Sequence, residues 1–71
     1  MNSIERAMKS LERQGFSFHR FAGNQAGYVQ IKLPPRDQTI SAASMRLIQN
    51  VGRVISVEMG QRYVLVDMSR D

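Results

Sequence analysis

Residues 39–68 read TISAASMRLIQNVGRVISVEMGQRYVLVDM, and the spacing of their apolar residues is the clearest structural signal in the chain. Its first part carries apolar side chains at the three- and four-residue spacing of one helical face, and Gly52 closes the pattern. Its second part carries two short apolar runs, residues 54–59 and 62–68, on either side of the polar turn Gly60-Gln61. The stretch therefore predicts a helix followed by a β-hairpin. The apolar positions of the predicted helix are Ile40, Ala43, Leu47, Ile48 and Val51.

The first half of the chain shows the same order of patterns. A helical pattern begins at Ser3 and ends at Gly15, with Asn2 or Ser3 as its capping residue. Two strand-like runs, residues 16–21 and 27–33, follow it on either side of a polar, glycine-containing turn. The whole chain is therefore expected to read helix, hairpin, helix, hairpin.

The two halves can be aligned by a shift that places Ser3 on Thr39. One interpretation is a quasi-repeat of residues 3–33 and 39–68. The other is that any two helix–hairpin units align in this way once a gap is allowed. Residues 34–38 form the connector between the halves, because the two prolines at its start cannot continue a strand ladder.

The simplest fold for these elements is a single small α+β domain spanning residues 1–71. Its expected order is αββαββ, with both helices packed on one face of a mostly antiparallel four-stranded sheet. Alternation along two strands assigns one set of side chains to the helices and the other set to the opposite face. The inward set is Val29, Ile31, Leu33, Val64, Val66 and Met68. The outward set is Tyr28, Gln30, Lys32, Tyr63, Leu65 and Asp67.

The outward face predicts self-association. Its side chains are not uniformly polar, and residues 54–57 are apolar on both faces of their strand. A chain of 71 residues also buries only a modest fraction of its surface, so a second subunit would add stability. We therefore expect a homodimer, with Tyr28, Tyr63 and Leu65 as candidate contact residues.

The composition argues against several classes of function. The chain has no cysteine and one histidine, and its acidic residues show no paired spacing typical of a metal cage or an acid–base couple. We therefore expect no enzyme activity, no catalytic residue, no cofactor or metal, and no small-molecule substrate. No apolar run approaches the length of a membrane span, and the lack of cysteine favours a cytoplasmic location.

The charge distribution gives the functional hypothesis. Six basic residues and one acidic residue, Asp37, lie between Arg13 and Val57. A basic region of this kind is typical of a surface that meets phosphates or an acidic partner. The second predicted helix concentrates polar side chains opposite its apolar face, and these types grip phosphate or read base edges in a major groove. This candidate helix face consists of Arg46, Gln49, Asn50 and Arg53.

The sequence therefore predicts a small basic nucleic-acid-binding protein, for DNA or RNA, with a regulatory role as one option. Additional phosphate contacts are expected from Arg13, Arg20, Lys32 and Arg36. One alternative is a protein-interaction module, inhibitor or linker that binds an acidic partner surface through its arginines. A second possible surface is a stacking platform for single-stranded bases on the outward sheet face. Its members would be His19, Arg20, Tyr28, Lys32, Arg62 and Tyr63.

Two family resemblances point in different directions. The run from Leu11 to Phe16, the strand with Arg20 and the segment 40–48 resemble the HicA-type toxins, which implies contact with RNA. Those toxins place a catalytic histidine after Gly23, where this chain has Asn24-Gln25. The segments 28–34 and 52–57 are similar to the CpcD-type linker domain of phycobilisomes, which implies protein binding. No family is assigned, because the two implied functions disagree.

Overall fold

The chain folds as the expected α+β domain in a computed structural model that describes residues 2–23, 27–36 and 39–69. Its elements are α1 (Ser3–Arg13), β1 (Ser17–Arg20), β2 (Tyr28–Lys32), α2 (Ala42–Val51), β3 (Arg53–Glu58) and β4 (Tyr63–Asp67). The predicted order αββαββ is confirmed. Residues 24–25 of the first predicted turn and residues 37–38 of the connector lie outside the described residues.

The four strands form one sheet in the order β1-β2-β4-β3, and each neighbouring pair is antiparallel. β2 and β4 are therefore the central strands, while β1 and β3 are the edges. Gln30 lies opposite Leu65 at the middle of the central pair. Along β3 the register with β4 shifts between Val54 and Ser56, which marks a β-bulge at Ile55.

The core fills the space between the sheet and the helices. The predicted alternation of the central strands is confirmed, since their inward valines and isoleucine are at most 1% exposed. Burying one such side chain contributes roughly 1.5–3 kcal/mol, so this layer holds the helices on the sheet. The buried apolar side chains of the core include Ala7, Leu11, Phe16, Val29, Ile31, Leu33, Ile48, Val51, Val64 and Val66.

The start of α1 agrees with the sequence prediction. The Asn2 side chain accepts a hydrogen bond from the Glu5 backbone N–H at 2.8 Å, so Asn2 is the N-cap. Ala7 and Leu11 then turn towards the core at the spacing of one helical face. The helix ends at Arg13, and Gln14 is its C-cap.

The start of α2 differs from the prediction. We expected the helix from Thr39, but it begins at Ala42 because the Ser41 hydroxyl accepts a hydrogen bond from the Ser44 N–H at 3.1 Å. Ser41 has the extended backbone of an N-cap, so the helix cannot start before it. The apolar face is also rotated relative to the prediction: Ser44 is buried and Ala43 is exposed.

The two helices pack against each other and run antiparallel. At one end the Ser44 hydroxyl donates a hydrogen bond to Gln14 Oε1 at 3.1 Å, which joins the end of α1 to the start of α2. At the other end Ile4 of α1 shares a cleft with Gln49 of α2. Within the residues that the structure describes, no helix is long and apolar enough to cross a membrane.

Candidate nucleic-acid interface

Three exposed arginines lie where α1 ends and α2 begins. Arg13 is the last residue of α1, and Arg46 follows Ser44 by two positions, so the Gln14–Ser44 hydrogen bond joins the chain segments that carry both arginines. The connector approaches the same place, because a Cβ atom on Gly15 would lie 3.2 Å from the Pro34 Cβ. The third of these arginines, Arg36, follows Pro34 by two positions. The basic end of the molecule therefore consists of Arg13, Arg36 and Arg46.

A basic stripe along α1 continues from the basic end. Arg6, Lys9 and Arg13 follow one another at helical spacings of three and four, so they lie on one side of the helix, and all three are exposed. Glu5 and Glu12 lie four residues before and three residues after Lys9, so both acids neighbour this lysine, and the charge excess of the stripe rests on Arg6 and Arg13. The sequence prediction missed Arg6 and Lys9, although their spacing on the first predicted helix was a sufficient signal.

The outer face of α2 carries three of its four predicted members. Arg46, Gln49 and Asn50 are exposed on the side opposite the buried Ile48, and α2 contains no acidic residue. The placement of Arg53 on this helix face is wrong. α2 ends at Val51, so Arg53 is the first residue of β3 and belongs to the sheet.

Arg53 instead forms an ion pair across the sheet. Its Nη2 atom lies 3.5 Å from Asp67 Oδ2, which belongs to the neighbouring strand β4. Hydrogen bonds from the Ser69 hydroxyl and the Ser69 backbone N–H hold the pKa of Asp67 below its usual value, and Arg53 lowers it further. The positive charge of Arg53 is therefore matched by a carboxylate that stays ionised at neutral pH.

A shallow cleft lies at the C-terminal end of α2. Its volume is about 500 Å³, and its lining includes Gln49, Asn50, Arg53, Asp67 and Ser69. The last turn of α2 contains no basic residue to balance the partial negative charge of the helix C-terminus. With that helix end and the Arg53–Asp67 pair in its wall, the cleft does not concentrate positive charge.

The sheet face opposite the helices, called the open face below, carries equal numbers of basic and acidic side chains in its described part. Strand register places Lys32 and Arg53 on this face together with Glu58 and Asp67, so its described part carries two basic and two acidic side chains. Its apolar members are only partly exposed, as the outward alternation predicts. The predicted dimer contacts Tyr28, Tyr63 and Leu65 lie on this face, and their role stays a prediction.

The proposed base-stacking platform loses two of its basic members. Arg20 lies opposite Val29, which points towards the helices, so Arg20 belongs to the helical side of the edge strand β1. The Arg62 guanidinium donates a hydrogen bond to the Pro34 carbonyl and fastens the connector to the β3–β4 turn. His19 remains on the open face, where its ring meets the Phe21 ring edge-on at 5.1 Å between centroids.

Among the described residues, no group of three or more His, Cys, Asp or Glu side chains is arranged to hold a metal ion. Comparisons with protein-family models, curated proteins and solved structures found no match to the chain.

Proposed function

We propose that this protein is a small, non-enzymatic nucleic-acid-binding protein that contacts phosphates with its helical side. The observation that supports this is the separation of charge between the two sides of the sheet. On the helical side, the helices, the connector and the edge of β1 carry six exposed basic residues against Glu5 and Glu12. These basic residues are Arg6, Lys9, Arg13, Arg20, Arg36 and Arg46.

The basic end is the centre of the proposed contact. Arg13, Arg36 and Arg46 project from three different segments that are held together by the Gln14–Ser44 hydrogen bond and the close approach of Gly15 to Pro34. Each guanidinium can grip a phosphate with two parallel hydrogen bonds. Segments fixed in this way present their charges without first having to be ordered, which favours binding.

The outer face of α2 supplies the second part of the proposal. Gln49 and Asn50 lie beside Arg46 on one exposed helix face, and their amide groups can pair with the edge of adenine. We assign them a secondary role, in which they read bases once the arginines have engaged the backbone. Arg53 is not assigned to this contact because it lies on the sheet and pairs with Asp67, although it lines the same cleft as Gln49 and Asn50.

The alternative of an acidic protein partner uses the same surface. A regulatory role and a cytoplasmic location are also parts of the proposal; the lack of cysteine in the sequence fits a reducing compartment. The two kinds of partner differ in how affinity depends on salt. Nucleic acid releases condensed counterions when phosphates are neutralised, so log K falls by about 0.9 per phosphate contact on duplex DNA for each tenfold rise in salt.

A gel-shift assay against duplex DNA, single-stranded DNA and RNA tests the proposal. At about 50 mM salt we expect binding to at least one of these, with a steep loss of affinity at about 200 mM. Arg46→Gln should flatten the salt slope by about 0.9 on duplex DNA. Lys32→Gln removes the same charge from the sheet face, so it is the matched control and should leave the slope unchanged.

Three results would count against the proposal. Absence of binding to all three nucleic acids at low salt would remove it. Equal effects of Arg46→Gln and Lys32→Gln would show that overall charge, and not the helical side, determines binding. A nuclease-insensitive complex with one acidic protein, with no gel shift, would favour the interaction-module alternative.

A further inference from the structure

The edge strand β3 is the strongest feature that the proposed function leaves without a role. β3 is six residues long, whereas the other edge, β1, has four. An edge strand presents unpaired N–H and C=O groups that can pair with another strand. In the described ranges, the large apolar side chains that are exposed are Ile55, Val57 and Met59, at 42%, 42% and 37%. All three lie on β3 or directly after it.

The β-bulge places the two charged ends of β3 on the same face. Arg53 and Glu58 are five positions apart, so in a regular strand they would point to opposite faces. The register shift changes this, because Arg53 lies opposite Asp67 and Glu58 lies opposite Tyr63, two β4 residues that share the open face. β3 therefore presents a basic end and an acidic end on one face.

The same shift aligns the two inward valines. Val54 lies opposite Val66 and Val57 lies opposite Val64, so both point to the helical side. Read from either end, β3 shows a charged residue on the open face and then a valine on the helical side. This order makes the strand complementary to an antiparallel copy of itself.

We propose that β3 pairs antiparallel with the β3 strand of a second copy of the chain, about a two-fold axis between Ile55 and Ser56. In this register Arg53 lies opposite Glu58 of the partner subunit, and Val54 lies opposite Val57 of the partner subunit. Symmetry repeats each contact, so both charged pairs and both valine pairs form. Opposite-charge and β-branched pairs stabilise antiparallel strands.

This pairing is preferred to a dimer through the open sheet face. The large exposed apolar side chains cluster on and just after β3, whereas Tyr28, Tyr63 and Leu65 on the open face are already half-buried within one subunit. The edge also offers backbone hydrogen bonds, which the face of a sheet does not. The product is one continuous eight-stranded sheet with all four helices on the same side.

The dimer has a consequence for the helical side. α2 contacts β3, so the two α2 helices flank the two-fold axis and their outer faces lie on the same side of the assembly. This consequence rests on the proposed function, whereas the strand pairing does not. It would join two basic surfaces into one that follows a longer stretch of nucleic acid.

Sedimentation of the nucleic-acid-free protein at high micromolar concentration tests the pairing. The unchanged chain should sediment as a dimer. Glu58→Arg places two arginines opposite each other, and Arg53→Glu places two glutamates opposite each other, so each should raise the dimer Kd about tenfold. An equimolar mixture of the two variants should recover the dimer, because each variant then supplies the charge that the other lacks.

A variant of the open face distinguishes a dimer through the β3 edge from a dimer through that face. Tyr28→Ser changes a half-buried residue away from β3 and should leave the dimer intact. Urea unfolding of every variant shows that a change in association is not a loss of folding. A monomeric unchanged chain, a dimer that both charge variants leave intact, or dissociation by Tyr28→Ser alone would overturn the proposal. Because no nucleic acid is present, such a result leaves the gel-shift test unaffected.

Discussion

The two sides of the sheet differ in charge although they share one core. The helical side carries six exposed basic residues against two acidic ones, and the described part of the open face carries two of each. The open face instead has partly buried aromatic and apolar side chains, and its edge strand β3 carries exposed ones. This difference underlies the two proposals, a phosphate backbone on the helical side and another protein chain at the β3 edge.

The difference also changes the meaning of the basic region in the sequence. Residues between Arg13 and Val57 appear as one basic stretch along the chain, but folding distributes them over both sides. Lys32 and Arg53 go to the open face, where acids balance them, and Arg13, Arg36 and Arg46 gather at the basic end. The order of charges along a chain therefore gives the number of charges, and the fold decides which of them act together.

The largest expected effect comes from the core layer that supports both sides. Ile48 is fully buried, so Ile48→Ala should lower the free energy of unfolding by about 3 kcal/mol. Urea denaturation followed by circular dichroism measures this. The control is Gln49→Ala, one residue away and exposed, which should change stability by less than about 0.5 kcal/mol. Equal losses in the two variants would mean that α2 does not pack as described.

The next largest loss of stability is expected at Gly52, where the end of α2 approaches the backbone of β4. A Cβ atom on Gly52 would lie 2.6 Å from the Asp67 carbonyl oxygen, so Gly52→Ala must push α2 away from β4. We expect a loss of about 2 kcal/mol, typical of overpacking against a backbone that cannot move freely. Gly60→Ala is the matched control, because its Cβ would meet nothing within 4 Å. If both substitutions have the same effect, the close approach at Gly52 is not the cause.

The architecture could be predicted because hydrophobic periodicity determines it. Helical spacing in the two helices and alternation in β2 and β4 identify the element order and the inward face of the sheet, and the structure confirms both. The start of α2 was harder to predict from the sequence. Ser41 stops the helix by capping Ser44, and periodicity does not show which of several polar residues will act as the cap.

The candidate site was harder to predict because it depends on contacts between distant residues. Arg46, Gln49 and Asn50 follow from helical spacing alone, but Arg53 does not, since its position depends on where α2 ends and β3 begins. The basic end depends on a hydrogen bond between Gln14 and a residue thirty positions away. Spacing patterns within a single helix or strand do not show which residues so far apart in sequence will be in contact.

A smaller loss of stability is expected when the hydrogen bond between the two helices is removed. Ser44 is 6% exposed, and its hydroxyl donates to Gln14 Oε1, so Ser44→Ala should lower stability by about 1 kcal/mol. The double variant Ser44→Ala with Gln14→Ala should lose less than the sum of the two single losses, because one interaction is removed by either change. Additive losses in this double-mutant cycle would show that the bond does not hold the helix ends together.

The smallest effect is expected on the open face, and it depends on pH. Hydrogen bonds from Ser69, with a further contribution from Arg53, hold the pKa of Asp67 below its ordinary value. A lowered folded-state pKa stabilises the protein fully above the unfolded-state pKa of about 3.9, and this stabilisation is lost as the pH falls through the folded-state value. Asp67→Asn should therefore unfold more easily than the unchanged chain at pH 7, and the difference should shrink below about pH 4.

Ser69→Ala should behave in the same way with a smaller amplitude, since the backbone bond remains. A difference that stays constant from pH 7 to pH 2 would contradict this account, because it would mean that Asp67 stabilises the sheet through packing and not through its charge.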